Sequence, residues 1–471
     1  MNVIETDYLV IGAGLTGTGF VDSLICDSDA DVVLVDRRHQ PGGHWNDAYP
    51  FVRLHMPSAN YGVNSLPLGR DTIDEHGPNA GLYERATGHE LRAYFRRVLE
   101  ERLLASGQVR FLGLHDHRGS DADGHHVVSR LTGEATTVRV RRRLVDATYL
   151  ESAIPSHHTP NFGTDPGIRV VTPTGLVDLH EPATGFTVLG AGKTAMDTCQ
   201  WLLDEGVDPD RIRWVRPRDP WILDRAYYQP LDQVATFVEG QARELEAAAA
   251  AVDLDDLFRR LEASGQLVRL DETVEPTMFH TPSLSQAELA DLRSITHVVR
   301  KGRVVHLRSK EIVLDHGSIP TDSGQVHVDC TATGLRLAPS RPIFGAGRIT
   351  MQQVRQNQPA INAALIGHLE ATRDDDAEKN RLCEPNPYVD HPADWVRWTL
   401  QGLRSEARWR ADEDLGAWVE ASRLNLSGGI GDHAHEPLMR SALMRLFEFA
   451  EAATSNLERL LPQTVGATAT A

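Results

Sequence analysis

The sequence predicts an α/β protein with two parallel-sheet domains, the second nested inside the first, followed by a helical C-terminal extension. Two of the observations behind this prediction are a buried strand, a glycine turn, a helix and a second strand, in that order, at residues 7–36 and again at residues 185–216. The third is the charged, tryptophan-containing segment after residue 376, where apolar residues recur at helical spacing. Strands that alternate with helices in this way form parallel sheets.

The first glycine turn has the sequence Gly12-Ala13-Gly14-Leu15-Thr16-Gly17, directly after an apolar strand. Its first glycine permits the tight turn, its second lets the backbone approach a pyrophosphate, and its third lets the helix pack on the strand. The next strand ends on an aspartate about 20 residues further on, where a carboxylate can accept the ribose hydroxyls. This pattern predicts a Rossmann-like dinucleotide-binding domain; a glycine turn without a ligand is the simpler alternative. The predicted contacts are Gly12, Gly14, Thr16, Gly17 and Asp36.

The second glycine turn, Gly190-Ala191-Gly192-Lys193-Thr194-Ala195, has alanine in the third small position, which still allows close packing. The strand that follows ends at Arg216, and Arg218 comes just after it. Arginine at this place removes the acid that favours NAD and supplies a planar cation for a 2′-phosphate. The pattern therefore predicts an NADPH (NADP) site, although the two arginines could also be solvated surface charges. The predicted contacts are Gly190, Gly192, Lys193, Thr194, Arg216 and Arg218.

The segment Arg37-Arg38-His39-Gln40-Pro41-Gly42-Gly43-His44-Trp45-Asn46 resembles the segment after the second strand in FAD-binding flavoproteins. In those proteins a Gly-Gly pair lets the chain pass against the pyrophosphate and the ring of the flavin. The resemblance implies that the first site binds FAD, with Arg37, Gly43, His44 and Trp45 among its contacts. A plain loop is the alternative for the two glycines.

The two glycine turns, about 180 residues apart, make the chain similar to the flavin-containing monooxygenase group of class B flavoproteins over roughly residues 5–375. The resemblance implies an FAD-binding domain in two parts, residues 1–180 and 323–375, with a nested NAD(P)-binding domain at 181–322. A helical extension is expected at 376–471. The resemblance also implies a cofactor contact at Thr148. A helix over 361–372 is expected to point its N-terminus at the flavin, with Gln358 and Pro359 just before it as further contacts. A core helix without that role is the alternative.

The resemblance fails at the linker between the domains. The family signature should follow Thr148, but residues 151–160 do not match it, and Tyr149 stands where glycine is usual. In the family, the segment that corresponds to residues 53–61 places a polar residue over the flavin. By position this implies a catalytic role for His55, supported by Ser58 and Arg53. A histidine there could act as an acid near neutral pH, or be a purely structural residue.

The resemblance implies an FAD-dependent oxidoreductase, in which NADPH reduces the flavin and a C4a-hydroperoxyflavin transfers one oxygen atom to a small organic substrate. Two alternatives stay open. One is a dehydrogenase or oxidase that is reduced directly by its substrate, which the missing linker signature favours. The other is a non-redox protein that uses FAD as a structural scaffold.

The composition argues against several classes of function. A formal net charge of −18 is unfavourable for binding nucleic acid or an anionic membrane. The four cysteines form no Cys-x-x-Cys, which excludes the redox-disulfide class of flavoproteins and a zinc site of standard spacing. There is no signal peptide and no apolar run of 18 residues. We therefore expect a cytoplasmic protein without a metal, acting on a small molecule and molecular oxygen, and leave homo-oligomerisation open.

Overall fold

The computed structural model describes residues 2–334 and 336–467. Within these ranges the strands are β1 (Asn2–Ile11), β2 (Val32–Asp36), β3 (Val109–Gly113), β4 (His115–Asp121), β5 (Gly124–Ser129), β6 (Ala135–Asp146), β7 (Gly163–Thr164), β8 (Val170–Val171), β9 (Gly185–Leu189), β10 (Ile212–Val215), β11 (Ile222–Asp224), β12 (Leu267–Val268), β13 (Ser283–Leu284), β14 (Val298–Val299), β15 (Val304–Leu307), β16 (Glu311–Leu314), β17 (Gly317–Pro320), β18 (Gln325–Asp329), β19 (Phe344–Gly345) and β20 (Arg348–Thr350).

The α-helices of the same ranges are α1 (Leu15–Cys26), α2 (Gly88–Arg97), α3 (Pro173–Leu176), α4 (Lys193–Asp204), α5 (Val234–Ala250), α6 (Leu254–Ala263), α7 (Gln286–Arg293), α8 (Pro359–Thr372), α9 (Asp376–Leu382), α10 (Asp394–Ala411), α11 (Glu413–Ala421), α12 (Ile430–His433) and α13 (Pro437–Ala467). The two strand–turn–helix–strand units that the sequence predicts are both present.

The first sheet has the order β19-β20-β6-β1-β2-β3, and its five strands from β20 to β3 are parallel. The hairpin β4–β5 joins it through β6 and turns at residues 121–124. We call this sheet and the helices packed on it the first lobe. Because its strands are parallel, their carboxyl ends share one edge, which is where open α/β sheets bind ligands.

The second sheet, β14-β10-β9-β18-β8, is parallel throughout. With the two smaller sheets and helices α4 to α7, it forms the second lobe. The chain enters this lobe ahead of residue 181, because β7 and β8 already pair with strands of its sheets. It returns after β18, and β20 then pairs with β6 of the first sheet. The α/β fold with a nested second unit is therefore present.

Helices α1 and α8 lie close together because small residues line their contact. A Cβ atom on Gly19 would lie 3.0 Å from the Cβ of Ala363, and one on Gly367 would lie 2.4 Å from the carbonyl oxygen of Phe20. The contacts advance in the same direction along both helices. The two helices are thus parallel, and the N-terminus of α8 lies at the same end as the glycine turn that begins α1.

The C-terminal extension is helical, as predicted, over α9 to α13; residues 468–471 of the predicted extension lie outside the described residues. Helix α13 packs along α5 of the second lobe, where the Asn456 side chain donates 2.7 Å hydrogen bonds to the carbonyl oxygens of Ala248 and Ala251. Trp409 of α10 belongs to the core of the first lobe. The extension therefore covers both lobes. Among the described helices, none has the length and apolar character needed to cross a bilayer.

Candidate functional site

The first glycine turn joins β1 to α1 in a backbone conformation that requires glycine. Gly12 has a φ of +102°, and a Cβ atom on Gly17 would lie 1.9 Å from the carbonyl oxygen of Gly12. The N–H groups of Leu15, Thr16 and Gly17 in the first turn of α1 make no hydrogen bond to a described residue. A helix start with free N–H groups binds anions, above all phosphates.

The Gly42-Gly43 pair crosses the start of α1. The N–H of Gly42 donates a 2.8 Å hydrogen bond to the carbonyl oxygen of Ala13. A Cβ atom on Gly43 would lie 2.9 Å from the Cα of Gly14, and Gly42 and Gly43 have φ values of +111° and +55°. Glycine is thus needed at 43 for both space and conformation, and no side chain from this segment covers the start of the helix.

A cavity of about 320 Å³ lies at the carboxyl ends of β1, β2 and β6. This volume is at the lower end of the roughly 300–1,000 Å³ of small-molecule sites. Its lining includes Gly12, Asp36, Arg37 and Thr148 of the predicted contacts. The buried Asp36 carboxylate accepts hydrogen bonds from the N–H groups of Ala13 and Arg38, at 2.7 and 2.8 Å, which fix its orientation. Arg37 pairs with Glu151 beside the cavity.

The N-terminus of α8 carries an unpartnered polar atom. Oε1 of Gln358 is buried and has no hydrogen-bond partner among the described residues. Pro359 occupies the first helical position, where its missing N–H is not needed. The preceding loop is fixed by Asn362, which accepts a hydrogen bond from the Arg355 N–H at 2.7 Å. A buried amide oxygen without a donor fits a site that a bound group completes.

His44 and Trp45, which follow the glycine pair, form an aromatic wall with Tyr61. The Trp45 indole donates a 2.8 Å hydrogen bond to the Tyr61 hydroxyl, and the His44 ring lies 4.7 Å from the Trp45 ring. Burial, aided by Arg38, lowers the pKa of His44 to about 4. Neutral at physiological pH, this histidine can contact a ligand without adding charge.

Within the described part of the chain, Arg53 and Ser58 make their hydrogen bonds to residues 85 and 86 and not to His55. The buried Ser58 hydroxyl accepts a 2.8 Å hydrogen bond from the Ala86 N–H, so it holds a neighbouring loop. Arg53 is exposed and donates to the carbonyl oxygen of Arg85 at 3.3 Å. Neither makes a hydrogen bond to His55 among the described residues, because each is bonded to the segment of residues 84–87.

His55 lies between the two lobes. Its carbonyl oxygen accepts hydrogen bonds from Nε of Arg225 at 2.9 Å and from the Ser283 hydroxyl at 2.8 Å, both in the second lobe. Its side chain is exposed, and desolvation by the surrounding protein, aided by Lys193, lowers its pKa to about 3. A pKa this low does not favour the expected role as an acid near neutral pH, and that role stays a prediction. His55 can still donate one ring N–H.

A buried ionic network beneath His55 joins the lobes. The Arg225 guanidinium pairs with Glu288 at 2.5 Å, and Arg85 of the first lobe pairs with the other oxygen of the same carboxylate at 2.8 Å. The two arginines hold the pKa of Glu288 down, to about 2, against the effect of burial. Sequence reasoning missed this network. The available signal was the capping-box pattern Ser285-Gln286-Ala287-Glu288, which marks a helix start but not the arginine partners.

The second glycine turn leaves the start of α4 open. Gly190 has a φ of +128°, and a Cβ atom on it would lie 2.6 Å from the carbonyl oxygen of Cys330. A Cβ atom on Gly192 would have nothing within 4 Å. Ala195 is fully buried against the sheet, and the carbonyl of Thr194 accepts a hydrogen bond from Thr198 at 2.8 Å. This turn has the same form as the first.

The predicted phosphate contacts of the second lobe are paired within the protein. Lys193 forms an ion pair with Asp197. Arg216 is buried, stacks on Trp214 and pairs with Asp219 at 3.1 Å. Arg218 keeps about a third of its side chain exposed while it pairs with Asp390, at 3.0 Å. Of the three cations, Arg218 is the most exposed and the one best placed to reach a ligand.

Sequence comparison identifies three mycobacterial relatives. Uncharacterized protein Rv2000 of Mycobacterium tuberculosis is 44% identical over 447 residues, which cover 94% of this chain and 82% of the relative. MT2056 of M. tuberculosis and Mb2023 of Mycobacterium bovis match with the same identity and coverage. A search against protein-family models gives no match.

Structural comparison gives matches to flavoproteins at low identity. A flavin-containing monooxygenase from Stenotrophomonas maltophilia is 13% identical with a TM-score of 0.44, over 78% of this chain and 97% of that one. Cyclohexanone monooxygenase from Rhodococcus sp. Phi1 bound to NADP+ is 16% identical with a TM-score of 0.43, over 71% of each chain. Bacillithiol disulfide reductase from Bacillus cereus is 9% identical with a TM-score of 0.48, over 79% of this chain and all of that one.

Proposed function

The chain belongs to the family of the mycobacterial proteins Rv2000, MT2056 and Mb2023, and we propose that it is an FAD-dependent oxidoreductase, acting as an NADPH-dependent monooxygenase on a small organic substrate. The observation that carries the proposal is the close approach of Gly43 to Gly14 over the free N–H groups of α1, next to the cavity that contains Asp36. This arrangement accommodates an extended dinucleotide.

FAD fits the first lobe from end to end. In this proposal Asp36 would hold the adenosine ribose at the cavity, and the free N–H groups at the start of α1, beside the Gly14–Gly43 contact, would hold the pyrophosphate. His44, Trp45 and the N-terminus of α8 would hold the flavin ring. There the unpartnered Oε1 of Gln358 can accept a hydrogen bond, and the helix N-terminus favours negative charge on a reduced ring.

NADPH fits the second lobe, where the open space at Gly192 leaves room for its pyrophosphate. Arg218 would bind the 2′-phosphate. The phosphate would replace Asp390, with which Arg218 forms an ion pair in the structure. Bound NADPH would supply the hydride, and the hydrogen bond from Tyr49 to Asp197 brings the start of α4 next to the first lobe.

The overall reaction balances without a further reductant: substrate, O₂, NADPH and H⁺ give the oxygenated substrate, NADP⁺ and water. Bound FAD supplies the redox chemistry of this exchange. The chain supplies binding, orientation and protection from water. His55, neutral at pH 7, would donate a ring N–H to an oxygen atom of the bound reactants, while the hydrogen bonds of its carbonyl oxygen with Arg225 and Ser283 fix its main chain.

The proposal is tested by mixing the purified yellow protein with NADPH in the absence of oxygen, and then with oxygen. Bleaching of the flavin absorbance by NADPH, and recovery with one O₂ consumed per NADPH, is the expected result. A flavin that NADPH leaves oxidised would contradict the use of NADPH. If oxygen restores the flavin absorbance but none of the small organic substrates tested is oxygenated, the monooxygenase assignment is contradicted.

A second candidate function is an FAD-dependent dehydrogenase or oxidase reduced by its own substrate. The pairing of Arg216 with Asp219 and of Lys193 with Asp197 favours it, because both cations are already neutralised without a nucleotide phosphate. Anaerobic bleaching by an organic substrate, with no response to NADPH, would establish this alternative.

A further inference from the structure

Two side chains of the second lobe converge on one carboxylate of the C-terminal extension. Nη2 of Arg218 lies 3.0 Å, and Nε2 of His280 lies 2.6 Å, from the same atom, Oδ1 of Asp390. Nη1 of Arg218 lies 3.4 Å from the other oxygen of Asp390, and the ring of His391 lies 3.7 Å from it. The side chains of Arg218, His280 and Asp390 are about a quarter to a third exposed. These residues therefore form an anion site that a ligand in solution can reach, with Asp390 as its present occupant.

The anion site lies near the second glycine turn. The N–H of Gly190 donates a 3.0 Å hydrogen bond to the carbonyl oxygen of Val215, the last residue of β10. Arg218 follows Val215 by three residues, which span at most about 11 Å. The carboxyl ends of parallel strands are where such sheets bind ligands. An anion bound to Arg218 can therefore belong to a nucleotide that is held at the glycine turn.

The segment that carries His280 is held in a strained conformation. Thr281 has a φ of +54°, a region that β-branched residues rarely adopt. Its hydroxyl donates a 2.8 Å hydrogen bond to Oδ1 of Asn357, which has a φ of +51° and precedes α8 of the first lobe. Strained residues of this kind persist where the surrounding structure enforces them, and they cluster at ligand clamps and switches. The strain next to His280 is thus a second sign of a ligand site.

The Asp390 carboxylate can leave the site by rotation of its side chain alone. The carbonyl oxygen of Asp390 accepts a 2.8 Å hydrogen bond from the N–H of Phe279, and its own N–H donates to Asp394 at 3.3 Å. The main chain of Asp390 therefore stays in place when the carboxylate moves. Against the effect of burial, Arg218 and His280 hold the pKa of the Asp390 carboxyl below its usual range, so the occupant is an anion at physiological pH.

We propose that Arg218 and His280 together form the site for the 2′-phosphate of NADPH, and that Asp390 blocks this site until the nucleotide displaces it. The inference rests on the proposed function and adds its regulation by the C-terminal extension. A phosphate monoester carries a charge of about −1.5 to −2 and several acceptor oxygens, so it satisfies both donors better than one carboxylate does. Only the fraction of molecules with an open site binds the phosphate, and the apparent affinity for NADPH is lowered by that fraction.

Isothermal titration calorimetry of the full chain with NADP⁺ and NAD⁺, which differ only in the 2′-phosphate, tests the inference. Asp390→Asn removes the competing charge and should bind NADP⁺ about fivefold more tightly than the wild type, because a partly exposed ion pair is worth up to about 1 kcal/mol. The affinity for NAD⁺ should not change. The matched control is Glu384→Gln, which removes a pair with Arg408 elsewhere on the extension and should leave both affinities as they are.

Further variants separate the block from a structural role. Asp390→Ser should give the same gain for NADP⁺, and His280→Ala added to Asp390→Asn should reduce the gain without affecting NAD⁺. Thermal melting shows whether each variant is folded. The inference is overturned if neither variant at residue 390 binds NADP⁺ more tightly than the wild type, if NAD⁺ gains equally, or if the gain is unchanged without His280.

These titrations require no reduction of a flavin, so the two proposals fail separately. A gain for NADP⁺ in Asp390→Asn, in a protein whose flavin NADPH leaves oxidised, would contradict the NADPH-dependent function alone. Bleaching of the flavin by NADPH, without any gain in Asp390→Asn, would overturn the block by Asp390 alone.

Discussion

The Tyr49 hydroxyl donates a 2.7 Å hydrogen bond to Oδ2 of Asp197 and so joins the first lobe to helix α4 of the second. The other oxygen of this carboxylate pairs with Lys193, the first residue of α4. The Asp197 carboxylate thus binds the neutral Tyr49 hydroxyl of the first lobe and the Lys193 cation of the second glycine turn. The contact lies beside His55, whose ring responds to the charges of Lys193 and Asp197.

Replacing Tyr49 by phenylalanine should weaken the joint between the lobes and leave their cores intact. The variant loses one hydrogen bond to a charged acceptor, worth about 1.5–3 kcal/mol, while the ring keeps its contact with Phe51. Urea unfolding measures the loss. A double-mutant cycle with Asp197→Asn isolates the pair. Additive effects of the two substitutions would show that the hydrogen bond does not couple the lobes.

The stability of the protein should fall on acidification partly because of His55. The pKa of His55 is about 3 in the folded protein and 6.5 in a model peptide, so the unfolded chain binds more protons between these values. Stability therefore decreases as the pH falls through this range. His55→Asn removes this titrating group. Between about pH 7 and about pH 4.5 its free energy of unfolding, measured in urea, should therefore fall less than that of the wild type. Equal losses would contradict a neutral, desolvated His55.

The two arginines after β10 should respond differently to replacement by alanine. Arg216→Ala removes one of the two cations of the buried Asp219, leaves Arg300 as the other, and should cost about 1–3 kcal/mol of unfolding free energy. Arg218→Ala removes a partly exposed pair, which is worth at most about 1 kcal/mol, and should leave the melting temperature nearly unchanged.

The same Arg218 variant should raise the KM for NADPH and leave the KM for NADH as it was, because only NADPH carries the 2′-phosphate. Steady-state oxidation of both nucleotides checks this. Equal changes in the KM for NADPH and for NADH would show that Arg218 does not bind the 2′-phosphate. They would favour the alternative in which the flavin is reduced by the enzyme's own substrate.

The sequence predicts the features that depend on local geometry. The glycines at 12, 17 and 190 follow from a turn between strand and helix, and the structure places each where a side chain would collide or where φ is positive. The strands and helices around them follow from apolar periodicity. The two lobes and the helical extension could therefore be predicted before the structure was known.

Features that depend on contacts between distant residues could not be predicted in this way. Tyr49 and Asp197 lie 148 residues apart, and neither is part of a motif. The pKa of His55 depends on desolvation and on Lys193 of the other lobe, neither of which the sequence around His55 shows. Arg216 stands at the distance from the glycine turn that is typical of a phosphate contact. In the structure it pairs instead with Asp219, three residues further along the chain.

Two glycine substitutions separate the proposed cofactor sites without disturbing the fold. Gly14 and Gly192 have φ values of −77° and −80°, which alanine adopts readily. A Cβ atom on Gly14 would lie 3.4 Å from Gly43, an ordinary contact, and one on Gly192 would touch nothing within 4 Å. Either methyl group would occupy the space into which a pyrophosphate must fit, so Gly192→Ala is the matched control for Gly14→Ala.

The most direct measurement is the FAD content and FAD affinity of the wild type, Gly14→Ala and Gly192→Ala, from absorbance and from titration of the apoprotein. Wild type and Gly192→Ala should bind one FAD per chain, and Gly14→Ala should bind it at least about tenfold more weakly, about 1.4 kcal/mol. A wild-type protein that neither contains nor takes up FAD, or a Gly14→Ala variant that binds FAD as the wild type does, would contradict a flavin in the first lobe.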